Sequence, residues 1–420
     1  MMIFTSLYGV VDGIFVTNFA GKSALAAVNF AFPILNILAT FGYMFGVGGS
    51  ALVAKTLGEG NKEKANQLFS MFVYICTIVG IAFAVIGYFL LEALMIKLGA
   101  EGKMLEEAVI YGKILLFTLP FWNLQFLFQI FFVTAEKHKY GLYISLIAGI
   151  SNIVLDALLI GVFNLGIAGA AIATGIGQVI GGGIPLLYFL SKNSSLLRLG
   201  KMTFDSKSFF KGTTNGLSEL VSGVSSSLVG ILYNTQLYKY AGEDGVAAYG
   251  IMMYVAFIFV GIFIGYANGV SPVISYNYGA ENKIELKNLY KKSLTLMLGS
   301  SLAMFIISII LSKPLSLVFA SYDQNLYQMT LHGFRIYSLS FLFSGIAIFS
   351  SAFFTALNNG LVSAILSFLR TIVFQVLFVL WFPILFSGID GIWFSVVIAE
   401  MLSFIVAIVF IRIYKNVYQY

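Results

Sequence analysis

Apolar residues run along this chain in long blocks separated by short polar clusters. Crossing a hydrocarbon layer of about 30 Å takes roughly 20 helical residues. Twelve stretches meet that length, near residues 1–20, 25–56, 66–96, 107–134, 140–162, 167–191, 212–240, 246–277, 286–312, 327–356, 360–386 and 389–414. Several exceed it, which predicts tilt or extension beyond the bilayer. The breaks carry turn and charge chemistry, as in Gly58-Glu59-Gly60-Asn61, Ala135-Glu136-Lys137-His138-Lys139 and Gly279-Ala280-Glu281-Asn282. Membrane-barrel strands would be about ten residues long with strict alternation, a pattern this chain lacks. The expected fold class is all-α, a polytopic membrane protein of twelve transmembrane helices.

Composition narrows the function classes. Of 420 residues, 59% are hydrophobic and 10% charged, whereas a soluble domain carries about 25% charged residues. A soluble enzyme, a nucleic-acid binder and a secreted disulfide scaffold are thereby excluded. The net charge of +6 does not restore the nucleic-acid reading, because the basic residues sit in short connections between apolar runs. Cys76 is the single cysteine, so neither an intrachain disulfide nor a thiolate metal cluster is expected.

Lys and Arg collect after the second, fourth, sixth, eighth and tenth segments and at the C-terminus: Lys55, Lys62, Lys64, Lys137, Lys139, Lys192, Arg198, Lys201, Lys207, Lys211, Lys283, Lys287, Lys291, Lys292, Arg412 and Lys415. The opposite connections hold only Lys22, Lys97, Lys103, Lys239 and Lys313. The positive-inside rule then places both termini and the connector 192–211 in the cytoplasm of a cell-membrane protein. Met1 opens directly into apolar sequence without the charged start of a signal peptide. The expectation is that a short cytoplasmic arm and part of the first helix precede it.

The two halves overlay at one constant shift. Gly21, Ala26, Ala27, Gly48, Ser50, Gly58, Asn61 and Lys62 recur as Gly242, Ala247, Ala248, Gly269, Ser271, Gly279, Asn282 and Lys283, and Thr134-Ala135 recurs as Thr355-Ala356. With one added residue, Gly166 and Gly169 fall on Gly388 and Gly391. A shift of six helices preserves orientation, so the halves read as parallel repeats about an axis along the membrane normal. The predicted organisation is an N-terminal lobe at 1–191, a connector at 192–211 and a C-terminal lobe at 212–420, around a central cavity. That architecture suits alternating access, and the absence of a Gly-x-x-x-x-Gly-Lys-Ser/Thr loop leaves no ATP motor in the chain.

Four acids fall inside the segments: Asp12, Asp156, Glu219 and Glu400. A charge at the bilayer centre costs about 2.5–3.5 kcal/mol on insertion scales, so such a residue faces a partner or a wet cavity and is a functional candidate. Asn152 precedes Asp156 by one helical turn, on the same face. An amide oxygen and a carboxylate at that spacing can coordinate Na⁺ or hydrogen-bond a protonated carboxyl. Asp12 lies between Gly9 and Gly13, which permit close helix approach. Either aspartate could instead fix helix packing. Arg370, in the eleventh segment, needs a partner such as Glu400 or Glu219, as an ion pair or as a second polar site. Lys113 and Arg335, near the starts of the fourth and tenth segments, read as side chains snorkelling to the interface. No metal-ligand cluster or nucleophile–base pair is visible, so no enzyme activity is expected.

These residues resemble the multidrug and toxic compound extrusion family, in particular its Firmicute-type members. The likeness spans the chain. It rests on Leu7-Tyr8-x-x-Val11-Asp12-Gly13-Ile14-Phe15-Val16, Gly21-x-x-x-Leu25-Ala26-Ala27, Asn152-Ile153-Val154-Leu155-Asp156, Gly166-x-x-Gly169-Ala170-Ala171-Ile172-Ala173-Thr174 and Gly265-x-x-x-Gly269-x-x-Pro272 with Tyr278-Gly279-Ala280-Glu281-Asn282. The resemblance implies a monomeric exporter of amphipathic, often cationic compounds by antiport with H⁺ or Na⁺, without other cofactors. It also implies a coupling site of Asp12, Tyr111, Asn152, Asp156 and Thr174, with Na⁺ accommodated by Asp12, Asn152, Asp156 and Thr174. Relatives that kink the first helix carry a proline before the aspartate, and none precedes Asp12 here. Branches using acids in the seventh and tenth helices are matched by Glu219, but the tenth segment has no acid. The rival reading is a flippase for a lipid-linked precursor or oligosaccharide, which would need a strongly cationic cleft.

Overall fold

The computed structural model describes residues 15–16, 22–321, 323–386 and 388–420, and among them every regular element is helical. In a bilayer a helix satisfies its backbone groups internally, which an open strand cannot do. The chain divides into two compact units, Met1–Gly216 and Leu217–Tyr420.

The first unit contains α1 (Lys22–Gly58), α2 (Lys62–Lys97), α3 (Gly102–Thr134), α4 (His138–Asp156) with a π-helical continuation at Ala157–Val162, α5 (Gly166–Leu190) and α6 (Ser206–Asn215). Helix α3 is its centre, packed against α1, α2 and α5. Its Leu115, Leu119, Phe128 and Phe131 are fully buried. Phe131 meets Phe69 of α2 edge-on at 4.8 Å, and Phe128 stacks on Phe189 of α5 at 5.5 Å. Against α1 the approach is backbone to backbone, since a Cβ at Gly42 would overlap the Asn123 carbonyl.

The second unit contains α7 (Leu217–Gly279), α8 (Lys283–Ala320), α9 (Gln324–Ser338), α10 (Phe341–Ala356), α11 (Gly360–Phe368), a π segment at Leu369–Val373, α12 (Phe374–Leu385) and α13 (Ile389–Tyr418). Helix α7 covers the seventh and eighth predicted segments and breaks between them at Gly242, where φ is 62° and ψ −148°, a conformation open essentially to glycine alone. Among the described residues, nine helices are long and apolar enough to span a bilayer, and α9 with α10 forms a tenth span bent by 48°. With α7 counted as two, eleven of the twelve expected spans are accounted for; the first lies mostly outside the described residues. The seventh segment, expected from 212, begins at Leu217. The residues before it form α6, an amphipathic helix lodged on α1 and α2 and capped by the Asp205 carboxylate, which accepts from the Ser208 N–H at 3.2 Å and hydroxyl at 2.6 Å.

The duplication is visible in local geometry. Asn61 and Asn282 each cap the next helix, accepting from the N–H three residues on at 3.0 and 3.1 Å. The residue before each has positive φ, 79° at Gly60 and 53° at Glu281. Large apolar side chains such as Phe89, Phe117 and Ile384 are exposed. An apolar exterior of this kind fits a hydrocarbon environment.

Candidate functional site

Asp156 ends α4, and the π segment begins immediately after it. A π turn accommodates an extra residue, redirects the side chains around it, and recurs at functional positions. Asp156 is completely buried and Asn152, one turn earlier, is 2% exposed. Asn152 Nδ2 donates to Thr174 Oγ1 of α5 across a long 3.4 Å. Its Oδ1 has no hydrogen-bond partner among the described residues. Helices α4 and α5 come close enough there for a Cβ at Gly177 to lie 3.6 Å from the Asn152 Cβ. Tyr111 of α3 is 1% exposed and packs in one apolar cluster with Val16, Ile160 and Ile167.

The structure thus joins Asn152 directly to Thr174, sets Asp156 one turn away, and buries Tyr111 within the same lobe. Asp12 lies outside the described residues. The donors that Asn152, Asp156 and Thr174 present are all oxygens. That set suits a hard monovalent cation such as Na⁺, or a proton on the carboxylate, and offers nothing to a softer metal.

A polar stripe continues from this site along α3. Thr118 donates to Gln178 Oε1 of α5 at 2.6 Å. Gln125 and Gln129 follow on the same face of α3, 6% and 7% exposed. Neither amide atom of Gln129 has a partner among the described residues. Neutral side chains give no charge signal in the sequence, although the seven- and four-residue spacing of Thr118, Gln125 and Gln129 marks one helix face.

In the second unit Arg370 lies inside the π segment and its Nε donates to Glu400 Oε2 at 3.0 Å, both side chains being mostly buried. Glu219, in the first turn of α7, is half-buried and within electrostatic reach of Arg370. Of the two partners foreseen for Arg370, Glu400 makes the bond. Nearby, the Tyr233 hydroxyl donates to Gln375 Oε1 at 2.6 Å and lies 3.0 Å from Ser395 Oγ. At the offset carrying Gly166 onto Gly388, Gln178 falls on Glu400 and Asp156 on Phe378. The two halves therefore share a frame but not their buried charges.

Lys113 spans to Glu92 of α2 at 4.0 Å and lies over the Tyr88 ring at 5.2 Å. Arg335 is exposed. His332 Nε2 lies 2.9 Å from Asp390 Oδ1, an exposed pair that the sequence did not reveal.

The family model described as MatE matches residues 1–158 and 220–381. The multidrug export protein MepA of Staphylococcus saprophyticus is 24% identical over 416 residues, 98% of this chain and 90% of that protein. MepA of Staphylococcus aureus strain MSSA476 is 26% identical over 423 residues, 99% of this chain and 92% of its own. Among solved structures, an outward-facing multidrug resistance MATE family transporter of the MOP superfamily superposes with a TM-score of 0.94 at 23% identity, over 100% of this chain and 94% of that one. A MOP superfamily transporter from Pyrococcus furiosus, described by the reversed polarity of its binding pocket, gives 0.91 at 22% identity, with the same coverage. These likenesses establish the shared fold. With the family model matched over well more than half of its residues, the chain belongs to the MatE family, the multidrug and toxic compound extrusion transporters.

Proposed function

We propose that the protein is a secondary antiporter of the cell membrane. It exports amphipathic, often cationic small molecules in exchange for H⁺ or Na⁺ by alternating access. The MepA relatives are named as multidrug export proteins; the coupling chemistry is read from this chain's own residues. The carrying observation is the completely buried Asp156 with Asn152 one turn away and Thr174 reaching that amide. An ionised carboxylate so deeply buried, in a lobe built to sit in hydrocarbon, is costly, and uptake of a cation there lowers its charge. Proton or Na⁺ arrival from outside neutralises it and favours release of drug outward; loss of the cation inward restores the drug-loading state. Exchange requires the two ligands to prefer different states, because a ligand that binds both equally shifts nothing.

The Lys and Arg bias supports cytoplasmic placement of both termini, and the protein acts as a monomer. The flippase reading asks for cationic side chains held for a pyrophosphate. Arg370 is engaged instead with Glu400, which speaks for the antiporter. The test is efflux of a fluorescent organic cation from proteoliposomes under a pH gradient and a Na⁺ gradient imposed separately. Acceleration by one of them is expected; indifference to both removes the antiport reading.

A further inference from the structure

We propose that the stripe between α3 and α5 is a hydrated track that carries the coupling cation between Asp156 and the end of the lobe bearing Thr134–Lys139. This rests on the reading of Asp156 as the coupling carboxylate. The track consists of Thr118, Gln178, Gln125, the Gly181 carbonyl and Gln129.

Gln129 is the strongest sign. Its side chain is more than nine-tenths buried, yet among the described residues both ends of its amide lack a hydrogen-bond partner. Native proteins pair such groups with protein or with ordered water. A glutamine sealed dry among apolar neighbours would be worse placed than a leucine, so water beside it is the economical explanation.

The opposing helix adds polar backbone along the same line. Pro185 lies inside α5 and has no N–H, so the Gly181 carbonyl one turn back loses its helical donor. Gly181 faces Gln125 so closely that a Cβ there would lie 2.6–2.8 Å from the glutamine's amide carbon, amide nitrogen and Cγ. A helix carbonyl without its donor and two glutamine amides are ligands of the kind that pass a small cation or a water chain. From Thr118 to Gln129 the helix rises roughly 16 Å, about half the hydrocarbon thickness. At the Asp156 end Asn152 adds an Oδ1 that is also without a partner among the described residues. Thr118 and Gln178 bond directly at 2.6 Å with no room for water between them, so the track is shut at that pair and conducts when the pair separates.

The test uses the full-length transporter. Gln129→Leu should slow cation-driven efflux from proteoliposomes by about tenfold. Substrate affinity in detergent, and its weakening by H⁺ or Na⁺, should stay at wild-type values, because both faces are open to solvent there. Gln129→Asn should recover most of the rate. Efflux by Gln129→Leu within about twofold of wild type, or a lost cation effect in detergent, overturns the track. Hydration is read independently with Gln129→Cys and Leu127→Cys in a Cys76→Ala background. A small hydrophilic methanethiosulfonate should modify position 129 and spare 127; equal reactivity at both overturns the proposal. If Asp156→Asn keeps the full cation effect in detergent, the coupling assignment itself fails, a result distinct from any failure at Gln129.

Discussion

Glu400→Leu strands the Arg370 guanidinium. The pair is 3.0 Å apart, with side chains 19% and 8% exposed, so water screens it little. Removing one partner of a buried ion pair costs about 3–5 kcal/mol, chiefly from the charge left behind. Glu219 is within electrostatic reach of Arg370 and can take up part of that charge, which sets the expected loss near the lower end, about 3 kcal/mol. In a unit of about 200 residues, 1 kcal/mol moves the melting temperature by about 2–4 °C, so the single variant should melt roughly 6–12 °C lower. The double variant Arg370→Met/Glu400→Leu removes both charges and should return to within about 1 kcal/mol of wild type. Detergent-solubilised protein, melted while tryptophan fluorescence is followed for all four members of the cycle, gives the coupling energy. A single variant melting with wild type, or a double variant as damaged as the sum of the singles, refutes the account of this pair.

Two further outcomes follow from other parts of the fold. Gly42→Ala drives a methyl into the Asn123 carbonyl and must push α1 off α3; a loss of about 1–3 kcal/mol is expected in the same melting assay, and an unchanged melt contradicts the backbone contact. The Ser208 hydroxyl and N–H beside Asp205 hold its carboxyl below the usual carboxylate range. Its cap on α6 is therefore fully present above the unfolded value of about 3.9 and is lost as pH falls through the lowered folded value. At neutral pH, Asp205→Ala should raise hydrogen exchange in the first turn of α6 by about fivefold, matching a lost cap of about 1 kcal/mol; equal exchange would mean that the cap contributes nothing.

The spans were legible because crossing a bilayer demands an apolar run whose length hardly depends on tertiary context. The repeat was legible at its turns, where Asn61 and Asn282 perform the same capping bond. The bend between α9 and α10 was not. It sits at Leu339 and Ser340, whose N–H groups bond three residues back, in a stretch with neither Pro nor Gly at the bend to mark it. The π segments at Ala157–Val162 and Leu369–Val373 leave no composition signal either, since a helix widens there to suit its neighbours, yet they set the local frame of Asp156 and Arg370. Buried acids announced themselves by their cost in hydrocarbon. Gln125 and Gln129 did not, because a neutral amide in an apolar run reads as tolerated until its missing partners are seen. The connector expected at 192–211 runs into the short amphipathic α6, Ser206–Asn215, which gains its stability from packing on α1, a contact no local pattern records.

In the proposed exchange, cation and drug compete through Asp156. Its most direct test is substrate affinity measured in detergent across a series of pH values and a series of Na⁺ concentrations, for wild type and Asp156→Asn. Linkage requires the coupling cation to weaken drug binding to the same degree that drug weakens cation binding. One cation is expected to antagonise binding to wild type, while Asp156→Asn binds drug but no longer responds to that cation. Identical cation dependence in the two proteins would contradict it.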